Sequence, residues 1–144
     1  MGFRASMRAA GVDLLKDYAA DADVKLTVYP GRPRTILPPH AFVDKFAAEI
    51  AYSGPTLFQH KPTMEMVVLH GLFDSKEAVD QADAFADGFL EWQLTEYHAA
   101  GGNTTLGLIS IEDDPNYVPD WLQPEEQKTY YATRLTLEGL ALGP

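Results

Sequence analysis

The chain contains no cysteine. That absence removes a disulfide scaffold, a cysteine zinc ribbon and a thiol nucleophile together, and it suits synthesis in a reducing cytoplasm. Basic residues are scarce: 11 Lys and Arg stand against 21 Asp and Glu, for a formal net charge of −10. Such a surface repels phosphate, so neither sequence-specific nucleic-acid binding nor attachment to an anionic membrane is expected. No apolar run approaches the ~20 residues needed to span a bilayer. The opening MGFRASMRAAG is basic and amphipathic but has no continuous apolar stretch, so no signal peptide is read there.

Catalytic signatures are missing as well. The four histidines, His40, His60, His70 and His98, show no i, i+4 pair and no His-x-His, and none sits in a zincin pattern. Asp113, Asp114 and Asn116 lack the glycine and the terminal glutamate of a calcium loop, so they read as a turn cluster. There is no Gly-x-Gly-x-x-Gly, no phosphate loop and no Gly-x-Ser-x-Gly. No catalytic residue, metal ligand or cofactor is expected, and the chain does not read as an enzyme. His70, amid apolar strand neighbours, reads as a hydrogen-bonded core histidine.

What is present is enough for one domain spanning 1–144. With 46% hydrophobic and 11% aromatic residues, a chain of 144 can build a full core. Phe3, Met7, Ala10, Leu14 and Tyr18 recur at helical spacing, which predicts an amphipathic helix over residues 3–20. Lys25 to Tyr29 alternates as a short strand does. Pro30-Gly31-Arg32-Pro33 and Pro38-Pro39 then stiffen an exposed loop, in which Arg32 and Arg34 form a rare basic spot. Those two arginines read either as solvated charges or as a contact to an acidic partner. Residues 41–52 fit a strand, with Asp44 as the exception, about as well as they fit a helical face; periodicity leaves both open. Ser53-Gly54-Pro55 reads as a turn, and Pro62 as the start of the next element.

Thr63 to Phe73 predicts a strand with Met64, Met66, Val68, His70 and Leu72 on one side and Glu65, Val67, Leu69, Gly71 and Phe73 on the other. Both sides are apolar from Met66 onward, which calls for cover on two faces, by the chain itself or by another subunit. Asp74 as N-cap with Glu77 behind it predicts a capping box opening a long helix that ends at Gly101-Gly102. Its apolar face runs through Ala78, Ala82, Phe85 and Phe89, beside a Val79-Ala86-Leu90-Leu94-Tyr97 row. Asp80, Asp83, Asp87 and Glu91 line up as one acidic stripe. The stripe reads either as an ordinary solvated face or, with several copies brought together, as the wall of an acidic channel. Thr104 to Ile111 reads as a buried strand, and 112–124 as an acidic connection carrying Tyr117 and Trp121. Thr129 to Leu140 is a closing strand, with Tyr131, Thr133, Leu135 and Leu137 inward and Tyr130, Arg134, Thr136 and Glu138 outward.

Taken in order, these elements resemble the tail terminator proteins of long-tailed bacteriophages, the lambda-type family, particularly versions from phages of actinobacteria. The likeness rests on the helix with Arg8-Ala9-Ala10 and Asp13-Leu14-Leu15, and on the turn Val28-Tyr29-Pro30-Gly31-Arg32-Pro33. It continues through the alternating strand Glu65 to Leu69, the Asp-rich helix around Gln81-Ala82-Asp83 and Asp87, and the long last strand. The segment 114–127 is longer than compact members need.

The resemblance implies an α+β fold of order α-β-β-β-α-β-β, with a mixed or antiparallel sheet of about four to five strands on two main helices. It also implies that 41–52 is strand. A hexameric ring of identical subunits is implied too, one that caps the tail tube and stops its polymerisation. The major tail tube protein and a head-side connector or stopper protein would be its partners. Genome DNA would pass through the lumen without sequence-specific binding, and no membrane would be involved. Asp80, Asp83, Asp87 and Glu91 become candidates for the lumen. Arg32, Arg34, His60, Lys61, Tyr117 and Trp121 become candidates for contacts made by the loops 30–40, 53–62 and 114–127. Related neck roles, head-completion stopper or adaptor, share these features. A small α+β enzyme or ligand-binding module is the other alternative, and it would need a deep pocket with convergent polar groups.

Overall fold

Among the described residues, two helices and one five-stranded sheet follow one another as α1 (Phe3–Asp21), β1 (Thr27–Tyr29), β2 (His40–Tyr52), β3 (Phe58–Leu72), α2 (Lys76–Trp92), β4 (Leu106–Tyr117) and β5 (Tyr130–Gly139), with a 3-10 turn at Pro124–Glu126. This computed structural model describes residues 3–36, 38–52, 58–93 and 106–139; at positions 3, 4, 6, 48–52, 58–62 and 139 the description is of the backbone. The sheet order is β1-β2-β3-β5-β4. β1 runs parallel to β2 and every other pairing is antiparallel, so the sheet is mixed and the class α+β. The turn read at 53–55 and the helix end read at Gly101-Gly102 lie outside the described residues.

Both helices cover one face of the sheet. Leu14, Leu15 and Tyr18 of α1 and Phe85, Phe89 and Trp92 of α2 are buried with Met64, Met66 and Val68 of β3 and Leu135 and Leu137 of β5. The Tyr18 ring stands edge-on to Phe85, Phe89 and Trp92, at centroid distances of 5.6, 5.3 and 5.4 Å. Such aromatic contacts add to the area they bury. Gly88 is what lets the helices come this close, since a Cβ there would lie 2.6 Å from the Tyr18 hydroxyl oxygen. Trp92 Nε1 ties α2 to the end of α1 by donating to Asp21 Oδ2 at 2.8 Å.

Several expectations need correction. The N-cap of α2 is Ser75, whose side chain accepts from the Ala78 amide at 3.3 Å, and not Asp74. Ala78 then occupies the third helical position, so no capping box with Glu77 forms; Glu77 still places a negative charge at the helix N-terminus. β3 begins at Phe58, and Pro62 lies within it, paired with Ala48. Among the described residues 58–62 pair with β2 alone, which leaves Pro62 a side where no amide is required.

Residues 41–52 are strand, and their irregular pattern has a cause. A bulge between Val43 and Lys45 makes Asp44 an extra residue, so Phe42 and Phe46 point to opposite faces. β4 runs on to Tyr117 through the segment read as a connection. It is an edge strand, where Pro115 removes no required ladder bond. Its Asp114, opposite Ala132 of β5, accepts at Oδ2 from Nε of Arg134 at 2.8 Å.

The second face of the sheet is the main surprise. Phe42, Val67, Leu69, Ala132, Tyr117 and Tyr130 form a second buried cluster there, with Tyr29, Ile36 and Trp121 packed against it. The face that looked available to a neighbouring subunit is closed, at this end, by the chain's own 29–36 and 117–121 segments. Tyr130, expected outward, is only 5% exposed for that reason.

Candidate functional site

Three places gather the residues singled out in the sequence. The first is the outer side of α2. Its inner side, Ala78, Ala82, Phe85, Phe89 and Trp92, is buried against the sheet, and Asp80, Asp83, Asp87 and Glu91 are all exposed. The 3.6-residue repeat places the two sets on opposite sides of the helix. Leu90 is also exposed, at 43%, so the apolar row beside the stripe does not enter the core at that position.

The second place is a knot made by the loop after β1, the bulge in β2 and the segment after β4. Arg32 Nε donates to Asp44 Oδ1 at 2.9 Å, and its guanidinium lies 5.1 Å from the Trp121 ring centre. The Trp121 indole N–H donates to the Pro33 carbonyl at 2.8 Å. Asp44 has an 8% exposed side chain, which explains why a charged residue occupies an apolar-looking strand: it is the extra residue of the bulge, turned toward Arg32. The hydrogen bond to Asp44 raises the Arg32 pKa and outweighs partial burial. Tyr117 is buried under the Arg134 guanidinium, 5.0 Å from its ring centre, and desolvation pushes its hydroxyl well above the ordinary tyrosine range. Burial alone would lower the Arg134 pKa; hydrogen bonds and charge from Asp114 and Glu65 more than offset it.

Arg32, Tyr117 and Trp121 are therefore brought together, and they hold the two loops onto the sheet. Arg34 is exposed and outside the knot. The side chains of His60 and Lys61 lie outside the described ones. This separation yields a prediction. Arg34→Glu should leave folding stability within about 0.5 kcal/mol of wild type, as surface changes do. Arg32→Glu should destabilise the chain measurably, because it sets a second carboxylate against the largely buried Asp44. Urea unfolding of the two variants checks this; equal stability would remove the structural role given to Arg32.

The third place is a cleft of about 400 Å³ between α1, β1 and α2, lined by Tyr18, Val24, Lys25, Leu26, His70 and Phe85 among others. His70 lies at its floor, 7% exposed, with Nε2 at 2.8 Å from Thr133 Oγ1 and its ring 5.6 Å from that of Phe85. Burial lowers the His70 pKa to about 4, against a smaller opposing effect of Asp113, so the ring is neutral at neutral pH. Its partner makes it a satisfied core histidine. The walls are mostly apolar, and the polar side chains among the described lining residues are those of Tyr18, Lys25, His70 and Gln81. Among the described residues no group of three or more His, Asp or Glu is placed to hold a metal ion.

Sequence reasoning missed two ion-pair systems, Arg32 with Asp44 and Arg134 with Glu65 and Asp114. The signals were present: Asp44 was the one residue that broke the alternation of β2, and Glu65 and Arg134 share the outward face of neighbouring strands. No protein-family model and no curated protein matches the chain.

Proposed function

We propose that this protein is a structural subunit of a bacteriophage neck, a tail-terminator-like chain made in the host cytoplasm and built into the virion. Its copies form a hexameric ring that caps the tail tube, stops tube polymerisation and offers a surface to the head-side connector, while genome DNA passes through. The observation that carries this reading is the disposition of α2, with an aromatic side committed to the core and Asp80, Asp83, Asp87 and Glu91 aligned in solvent. Repeated about an axis, that stripe makes a negative wall, which repels phosphate and lets DNA slide without sticking. The net charge of −10 fits the same role, because every copy resists adhesion to nucleic acid. An assembly role also suits a chain in which the cleft over His70 has mostly apolar walls and a neutral histidine at its floor.

Native mass spectrometry and electron microscopy of the purified protein, alone and with tube ends, test the reading directly. The expected result is a six-fold ring with a DNA-wide opening, bound at the tube end. Binding to the portal side instead would assign the chain to the stopper or adaptor role in the same neck. A chain monomeric under all these conditions would end the ring reading. Within the ring, Asp80→Asn, Asp83→Asn and Asp87→Asn together should leave assembly intact and slow DNA passage. They also remove like-charge pairs worth a few tenths of a kcal/mol each, so the helix itself should not suffer. Unchanged passage, with α2 seen on the outside of the ring, would remove the lumen assignment.

A further inference from the structure

A second cleft, of about 430 Å³, opens beside the one over His70, toward the N-terminal turn of α2. Pro39, His70 and Gln81 line both, so the two join into one groove between α2 and the segments on either side of β1. On one side of His70 the groove reaches Val24 and Lys25, and on the other Leu72 and Lys128.

Its apolar surface continues into solvent. Val24 and Leu72 are 45% and 44% exposed, and Phe73, next to Leu72, is 50% exposed. A single exposed apolar residue is ordinary, but several along one groove mark a binding surface. The charge of the groove is the reverse of that of the chain. Acids outnumber Lys and Arg by 21 to 11 in the whole sequence, yet the described lining holds Lys25 and Lys128 against Glu77 alone. Both lysines are exposed, and neither makes an ion pair among the described residues. Between them the floor is uncharged at neutral pH, because burial lowers the His70 pKa to about 4. Gln81 is exposed on the α2 side, with an amide that can donate to and accept from a peptide backbone.

We propose that this groove docks a segment of a partner protein in which two apolar side chains stand between carboxylates. The apolar side chains enter the clefts on either side of His70, the carboxylates meet Lys25 and Lys128, and Gln81 bonds the backbone that crosses between them. Clefts of about 400 and 430 Å³ have room for such side chains together with the backbone that carries them. A polypeptide also covers Val24 and Leu72 together, which lie in different clefts and which a small ligand held in one cleft would leave bare. Charge complementarity selects an acidic segment over a basic one. The groove is complete within one chain, so the inference stands apart from the ring reading.

Selection from a library of random decapeptides against the full chain tests it. Enriched peptides should carry carboxylates on both sides of apolar residues, and should shift the NMR signals of the His70 ring, which lines both clefts. For one such peptide, Lys25→Glu combined with Lys128→Glu should raise Kd about tenfold, since attraction on each side becomes repulsion. Ala84→Trp, at an exposed position lining the first cleft, should abolish binding by filling it, while urea unfolding shows the fold intact. Enriched peptides without carboxylates, binding that leaves the His70 signals unmoved, or an unchanged Kd in the charge variant overturns the proposal. Absence of enrichment overturns it too, and if sodium decanoate then shifts the same signals, the groove belongs to a small amphiphile. Native mass spectrometry reads the ring separately: a six-fold ring without peptide binding removes this proposal alone, and peptide binding by a chain that stays monomeric removes the ring alone.

Discussion

Phe42→Ala is expected to destabilise the folded chain by about 3–5 kcal/mol, the usual cost of emptying a fully buried phenylalanine site. Phe42 is 0% exposed and sits on the face of the sheet away from the helices, 5.3 Å from the Trp121 ring and 6.2 Å from that of Tyr117. Total stabilities of such domains are about 5–15 kcal/mol, so the loss should move the urea midpoint far and expose the variant to unfolding near body temperature. The size of the effect distinguishes two ways of covering the second face. If a neighbouring subunit covered Phe42, the substitution would weaken assembly and spare the isolated chain. The plug formed by 117–121 lies within the chain, so the monomer itself should lose stability. A change below about 1 kcal/mol in monomeric protein would overturn the second core. Phe46→Ala makes the useful comparison: Phe46 is only partly buried, so its loss should cost less in folding than that of Phe42.

The helices and the central strand were legible because their signals are local. Tyr18, Phe85 and Phe89 recur at helical spacing, and Met64 to Leu69 alternates with both sides apolar, so element type and the need for two-sided cover followed from period alone. What covers the second side did not follow, because it depends on contacts between segments far apart in sequence. Trp121 bonds to Pro33 and Arg134 to Glu65, and no local pattern reports such pairs. The bulge at Asp44 had the opposite effect: it shifted the face of every later residue in β2 and made a true strand look half helical. β4 was read short for a related reason. Acidic residues and a proline usually mark a loop, yet Glu112 stands on an edge strand opposite Arg134, and Asp114 on the same strand accepts a hydrogen bond from that arginine. The acidic stripe was fully legible as a stripe, since helical spacing alone aligns it. The use proposed for it depends on other copies, which one chain does not contain.

The pH dependence of stability should show a loss of about 3 kcal/mol attributable to His70 as pH falls from about 6.5 to about 4. In the unfolded chain its imidazole takes the ordinary value near 6.5, whereas burial holds it to about 4 in the folded chain. Between those values the unfolded state binds a proton that the folded state does not, so stability rises with pH across the window. The contribution is complete above about 6.5 and gone below about 4. His40 adds in the same direction, since burial lowers its pKa as well. Asp113 lies near enough to favour the charged ring, but its effect is smaller than that of desolvation. Carboxylates also titrate in this range, so the decisive comparison is with His70→Gln, which can still bond Thr133 and has no titrating ring. The difference in unfolding free energy between wild type and His70→Gln should shrink by about 3 kcal/mol from pH 7 to pH 4. NMR titration of the His70 ring should find no midpoint above about 5. A midpoint near 6.5 would place the ring in contact with solvent, reopen the cleft as a site for proton chemistry, and weaken the assembly reading relative to a ligand-binding one.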